Sequence, residues 1–372
     1  MTDTSALFRP FTVKNLNLAN RIVMAPMTRA FSPQGVPDQN VADYYARRAA
    51  ADVGLIISEG TLIRRPSAGE NENYPLFYGE KPLAGWKNVI DAVHAEGGKM
   101  APQIWHQGAA RAEGSGHFPE ANSDSPSGIM HDGTKLNYTP TQEDIADMVA
   151  AYADAARDAK ALGFDTVEIH GAHGYLIDNF FWDQTNKRDD KYGGDLVGRT
   201  TFATEVIKQV RAAVGNEMPI IFRWSQFKPF AYDAKLAHTP QELEKFLGAL
   251  VDAGIDVIHA SQRRFWEAEY PDIDGKDGLN LAGWSKKLTG LPTITVGSVS
   301  LDNDFISTFA GETAGDGAAN MKNLLERLER DEFDMVAVGR ALLKDPDWAS
   351  KIKDNQANQL LAFDKDALKT LY

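Results

Sequence analysis

Within the stretch Glu168-Ile169-His170-Gly171-Ala172-His173-Gly174-Tyr175, three hydrogen-bonding rings lie close together around a glycine-hinged turn. Thr166 to His170 alternates with the period of a strand, so Val167 and Ile169 face one way while Thr166, Glu168 and His170 face the other. His170 therefore ends a strand among polar neighbours. Two neutral imidazoles can each offer one N–H to a shared acceptor, and a phenol with an ordinary pKa of about 10 keeps its proton at neutral pH. A carbonyl oxygen suits the histidine pair, and a developing carbanion suits Tyr175. Two other readings of the same residues stand beside this one. The histidines could be a hydrogen-bonded structural pair. With Glu168 they could make a site of two histidines and one carboxylate for a metal, although Glu168 would pair more naturally with an arginine inside a barrel.

The elements that must position these rings recur along the chain. Eight short apolar or β-rich runs appear at Arg21–Met24, Gly54–Ser58, Lys99–Trp105, Thr166–His170, Ile220–Trp224, Val257–Ala260, Thr293–Val296 and Met335–Val338. Helical patterns lie between them at Val41–Ala51, Pro82–Glu96, Gln142–Leu162, Gly198–Val214 and Pro240–Ala253, with Thr141 and Thr239 placed as caps. Strands alternating with helices imply parallel pairing and right-handed crossovers. Eight such units, with no Gly-x-Gly-x-x-Gly after an early strand, point to one α/β domain over 1–372, a closed (β/α)8 barrel. The stretch Ala109–Pro140 is rich in Pro, Gly, Ser and Asp and is too long for a plain connection, so it is expected to be a lid or hairpin excursion after the third strand. Gly311–Asn320 is expected to be a surface insertion.

Chemistry in such a barrel sits at the C-terminal strand ends. Those ends carry Ala25-Pro26-Met27-Thr28, Glu59-Gly60, Gln103-Ile104-Trp105-His106, His170 to Tyr175, Arg223, Ser261, Gly297-Ser298 and Gly339-Arg340. The last two pairs end strands seven and eight, where exposed backbone N–H groups often bind a phosphate, and Arg340 adds a guanidinium fork. A phosphorylated ligand is the direct inference. Thr28, Gln103 and Arg223 together could read the heteroatom edge of a flavin ring, and positive charge there would help the ring hold added electrons.

Composition excludes several classes. The formal charge of -13 opposes nucleic acid and anionic membrane surfaces as partners. The absence of cysteine removes disulfides, thiolate metal sites and a cysteine nucleophile. Met1–Lys14 has no apolar secretion core, and no run approaches a membrane span, so a soluble, cytoplasmic protein is expected.

In combination these residues resemble the Old Yellow Enzyme family of FMN-dependent ene-reductases, over Leu7 to about Trp348. The resemblance rests on Asn20 to Arg29, Ser58-Glu59-Gly60-Thr61, Gln103-Ile104-Trp105, Glu168 to Phe180, Asn186-Lys187-Arg188 with Tyr192-Gly193-Gly194, Phe222-Arg223, and Val338 to Leu342. It implies non-covalent FMN, with Ala25, Pro26, Met27, Thr28, Gly60, Gln103 and Arg223 at the ring and Gly297, Ser298, Gly339 and Arg340 at the phosphate. It also implies that His170 and His173 hold the substrate oxygen, that Tyr175 supplies the proton, and that Trp105 shapes the pocket. NADPH or NADH would be a transient hydride donor, the substrate an activated alkene, and the protein a monomer or homodimer. Asp195 to Arg199 departs from the Ser-x-x-Asn-Arg-like helix start expected there. The loop Arg263-Arg264-Phe265-Trp266 is a second departure, expected to fill part of the pocket mouth with Trp266. Other readings left open are another FMN barrel, of the demethylase or desaturase kind, and a flavin-free phosphate-binding barrel; against an aldolase, no strand end offers a lysine.

Overall fold

The computed structural model describes residues 3–301 and 318–372. The N-terminal part of the expected insertion at 311–320 lies outside the described residues. A short antiparallel hairpin, β1 (Phe11–Val13) and β2 (Leu16–Leu18), precedes eight parallel strands: β3 (Ile22–Met24), β4 (Leu55–Leu62), β5 (Met100–Trp105), β6 (Val167–Gly171), β7 (Ile220–Ser225), β8 (Val257–Ser261), β9 (Thr293–Val296) and β10 (Met335–Val338). Each pairs with the next, and β10 pairs with both β9 and β3, closing the barrel. This is the (β/α)8 architecture expected from the alternation of runs.

Period-two alternation sorts the strand residues into two cores. Val23, Leu55, Ile57, Ala101, Ile221, Val257, Ile294 and Ala337 form the barrel interior, and Leu16 and Leu18 of the hairpin join them, capping the N-terminal end. Val167, Ile169, Phe222 and Trp224 face outward and pack against the helical layer. Glu168 and His170, between and after the outward pair, are thereby turned inward.

The helices begin where their caps specify. Thr141 and Asp144 form a reciprocal capping box at the start of α3 (Gln142–Leu162), as do Thr239 and Glu242 at α6 (Pro240–Ala253), where Pro240 also fits the first turn. Helices α1 (Gln39–Ala50) and α2 (Glu80–Ala95) cover the first strands, and α5 (Thr201–Val214) follows the short α4 (Leu176–Phe181). At the unusual Asp195–Arg199 start, the Asp195 carboxylate accepts from the Gly198 N–H at 2.8 Å, so an aspartate supplies the turn that precedes α5.

Strand β4 runs past the expected Ser58 to Leu62 through an irregularity in its pairing with β5 between Ile57 and Gly60. A Cβ at Gly60 would lie 2.5 Å from the Trp105 ring, so only glycine lets this strand end sit against that indole. The 109–140 excursion is held by the buried Arg111, which donates to the carbonyls of Ser115, Phe118 and Ala121, and by Asp124, bonded to Arg65, Ser67 and His106. Its Ile129–Lys135 bridge makes a small hairpin. His131 from that hairpin stacks on Phe230 at 3.9 Å between ring centroids, tying it to the loop after β7.

Candidate active site

The C-terminal ends of the barrel strands converge on a cavity of ≈ 360 Å³, within the range of small-molecule sites. Ala25, Pro26, Met27 and Thr28 line it after β3, Gly60 from β4, Gln103 and Trp105 from β5, and Arg223 from β7. His170, His173 and Tyr175 form one wall, and Gly297, Ser298, Gly339 and Arg340 lie at the ends of β9 and β10. Trp266 is the exception among the expected residues. Phe265 turns fully into the core, with its N–H donating to the Gly297 carbonyl, and this sends Trp266 away from the cavity. Ser261, Gln262 and Arg263 line the mouth in its place, facing Phe227, Pro229 and Tyr232 of the loop after β7. No residue of 109–140 lines the cavity.

The three rings meet at nearly right angles: His170 lies 5.3 Å from His173 and 5.0 Å from Tyr175, and Tyr175 stands edge-on to Trp105 at 5.0 Å, between centroids. His170 Nδ1 accepts the Ala172 N–H at 3.3 Å, so the proton of its neutral ring is on Nε2. His173 Nε2 lies 2.8 Å from Ser261 Oγ, which also receives a long 3.5 Å contact from the donor-only Arg223. Ser261 Oγ accepts on Arg223's side and turns its hydroxyl proton to His173 Nε2, leaving the neutral ring's proton on Nδ1. Burial, reinforced by Arg223, holds both imidazoles well below the usual histidine range. The Tyr175 phenol is pushed up, chiefly by burial and then by Glu70. At neutral pH the wall therefore presents two neutral imidazoles and one protonated phenol.

His173 holds a left-handed backbone, φ 64°, which a histidine adopts only under constraint. The constraint is visible. Its N–H donates to Ser225 Oγ at 3.1 Å, and the next N–H, of Gly174, donates to Asp178 Oδ2 at 2.6 Å. Asp178 Oδ1 pairs in turn with Lys228 Nζ at 2.8 Å, and neither side chain is exposed. This Asp178–Lys228 pair, joining α4 to the loop after β7, has no signal in the sequence because the partners are 50 positions apart.

Glu168 does not form the expected ion pair with an interior arginine. Its two oxygens engage Gln103 Nε2 at 2.7 Å and His259 Nδ1 at 2.6 Å. Arg223 is one strand further along, and Glu168 supports its charge without a direct bond. The alternation of β8 puts His259 on the same face as Ser261, so strand period could have marked it. Among the described residues no group of histidines and carboxylates is arranged to hold a metal ion.

A scan of family models matches residues 6–359 to the NADH:flavin oxidoreductase / NADH oxidase family. The chain belongs to that family. The NADH oxidase of Thermoanaerobacter brockii is 34% identical over 368 residues, covering 97% of this chain and 52% of that protein, so the chain spans about half the length of that relative. Among solved structures, morphinone reductase in complex with tetrahydroNAD superposes with a TM-score of 0.77 at 28% identity, covering 97% of this chain and 93% of the other. An Old Yellow Enzyme homologue from Zymomonas mobilis gives a TM-score of 0.77 at 26% identity, covering 97% and 96%. As a member of this flavin oxidoreductase family the chain is an FMN enzyme served by a nicotinamide donor, and its cavity fits that cofactor. Among the described residues Arg223 Nε is buried with no protein partner, its side chain lines the cavity, and no acidic residue does. An anionic or carbonyl-bearing ligand is what such a group requires. At the other end Ser298 takes φ 54° beside Gly297 at φ 137°, turning successive backbone groups as an anion cradle does, and Arg340 Nη2 reaches Ser298 Oγ at 3.2 Å. A Cβ at Gly297 would lie 2.6 Å from the Gln262 carbonyl, so the cradle depends on glycine.

Because His173 is held below its ordinary pKa, the unfolded chain takes up a proton at about pH 6.5 that the folded chain refuses. Its contribution to stability is therefore lost as pH falls below that point. His173→Asn lacks this loss, so the stability advantage of wild type over the variant should shrink by up to about 1.4 kcal/mol per pH unit below about 6.5. Urea midpoints for both proteins at pH 7.5, 6.0 and 5.0 measure this; a constant gap would contradict the buried, neutral ring.

Proposed function

We propose that this chain uses NAD(P)H to reduce the C=C bond of α,β-unsaturated carbonyl or nitro compounds. The observation that carries the reading is the placement of two neutral imidazole donors and a protonated phenol on one wall of the cavity that fits FMN. When bound, FMN supplies the hydride that the alkene's β carbon receives, having taken it from the nicotinamide. His170 Nε2–H and His173 Nδ1–H donate to the substrate's activating oxygen and draw electron density from the double bond. Tyr175 delivers its hydroxyl proton to the α carbon on the side of its own wall. Trp105, packed on Tyr175, limits how the alkene can lie. The chain carries no Gly-x-Gly-x-x-Gly after an early strand, which suits a nicotinamide that visits this cavity and leaves. The superposed morphinone reductase is in complex with tetrahydroNAD, which supports a nicotinamide as a ligand here.

Anaerobic rapid mixing tests the reading in two stages. NADPH or NADH should bleach the flavin of the holoenzyme, and cyclohexenone or a nitroalkene should restore its colour with formation of the saturated product. A flavin that bleaches but is reoxidised by none of a panel of enones and nitroalkenes would defeat the alkene assignment. His170→Ala should slow the alkene stage by about 10²–10³-fold and weaken the binding of a phenol, whose phenolate oxygen suits the same two donors. Unchanged phenol affinity would remove His170 from that role.

A further inference from the structure

Beneath the cavity, a row of polar side chains crosses the barrel interior and takes no part in the chemistry above. Glu168 on β6 is fully buried between Gln103 of β5 and His259 of β8, accepting from Gln103 Nε2 at 2.7 Å and paired with His259 Nδ1 at 2.6 Å. Strand register sets the neighbours: Gln103 pairs with Glu168, and Arg223 pairs with His259. Of the row Glu168–Gln103–His259, Gln103 alone lines the cavity.

The donor inventory fixes how each group is turned. A carboxylate accepts and cannot donate, so both of its partners must present hydrogens. Gln103 therefore gives its NH2 to Glu168 and keeps Oε1 for the cavity. His259 carries its proton on Nδ1, and its Nε2 is buried with no partner among the described residues, which suits a bare ring nitrogen better than a second N–H. Arg223, beside this row, offers hydrogens only. An isoalloxazine edge needs both kinds of partner, since its imide N–H lies between two carbonyls.

We infer that Glu168 and His259 are positioning residues that lock the Gln103 amide with its carbonyl oxygen toward the cavity, as the acceptor for the imide N–H of FMN. The inference rests on FMN being the occupant and is independent of the alkene assignment. Without the carboxylate, Gln103 is free to rotate and set its NH2 against the imide N–H, donor against donor.

The test titrates cofactor-free protein with FMN and with FMN methylated on its imide nitrogen, following flavin fluorescence. Wild type should prefer FMN by about 10-fold or more, the loss expected for an unmade hydrogen bond in a buried site. Glu168→Leu, outside the cavity and with no group to accept the Gln103 amide hydrogens, should reduce that preference to within about 3-fold, and Gln103→Met should do the same. The double variant should show no further change. A purely structural role for Glu168 would lower both affinities together and leave their ratio intact, and that result would overturn the inference. If Glu168→Leu does not fold, wild type and Gln103→Met still decide: equal binding of the two flavins by wild type, or a preference retained by Gln103→Met, would overturn it. Wild type taking up neither flavin would instead sink the FMN assignment on which it rests.

Discussion

Tyr175→Phe should slow alkene reduction by about 10²–10⁴-fold, the range for a positioned general acid, while NAD(P)H continues to bleach the flavin at close to the wild-type rate. The geometry makes this substitution unusually clean. The Tyr175 ring stands edge-on to Trp105 and His170, at 5.0 Å from each, and a phenylalanine keeps both contacts. What disappears is one O–H. Burial and Glu70 both hold that hydroxyl in its protonated form, so over the neutral range it acts as a donor of a proton and as nothing else. A nicotinamide delivering hydride asks for no proton from it. The two stages of the reaction should therefore separate in stopped-flow traces, with the colour-loss phase retained and the colour-return phase slowed. Equal damage to both phases would mean that the phenol shapes the cavity for every ligand, and the proton-donor role would fall.

How much of this could be read from the chain alone depended on how local the determining physics is. The barrel strands stood out because each is a short apolar run whose alternate residues must satisfy two different cores, and helices α3 and α6 because Thr141 and Thr239 announce them. The strand ends carried the candidate site for the same reason: in a parallel barrel all of them emerge on one face. The apolar run of β4 ends at Ser58, short of the strand itself, because the irregularity at Gly60 is stabilised by Trp105, a residue of the neighbouring strand. The hairpin β1–β2 leaves no mark in the sequence because each strand is three residues long, with too little periodicity to register. The sequence puts Trp266 at the pocket mouth because two adjacent aromatics, Phe265 and Trp266, are interchangeable in pattern, and only the packing of the turn decides which goes inward. Leu368 lines the cavity although it lies beyond the segment that resembled the family, held there as Arg29 donates to the Ala367 and Leu368 carbonyls. Partners fixed by long-range register, such as Glu168 with His259 and Asp178 with Lys228, were out of reach.

Lys228→Met tests the last of these, and it should destabilise the protein by about 3–5 kcal/mol, as expected when one member of a buried ion pair is removed. The methionine can occupy the space of the lysine stem beside Trp182, so the loss measures the charge left behind on Asp178. That carboxyl already sits above the usual range because burial outweighs the pull of Lys228. Without the ammonium it should rise further. A group whose folded pKa is raised contributes its stability at low pH and loses it as pH climbs through the folded value. The gap between wild type and Lys228→Met should therefore widen from pH 5 to pH 8 in urea titrations, and a gap independent of pH would show that the charge is not what matters. Pairing the change with Asp178→Asn removes the stranded charge and should recover most of the stability, since neutral replacements of buried pairs are often tolerated. The double variant should nonetheless remain slow in the alkene stage. Asp178 Oδ2 accepts the Gly174 N–H between His173 and Tyr175, and an asparagine there holds that turn less tightly than a carboxylate does. Stability restored together with full alkene reduction would show that the pair serves the fold alone, leaving Ser225 and the aromatic packing of Phe227 to set the His173 ring.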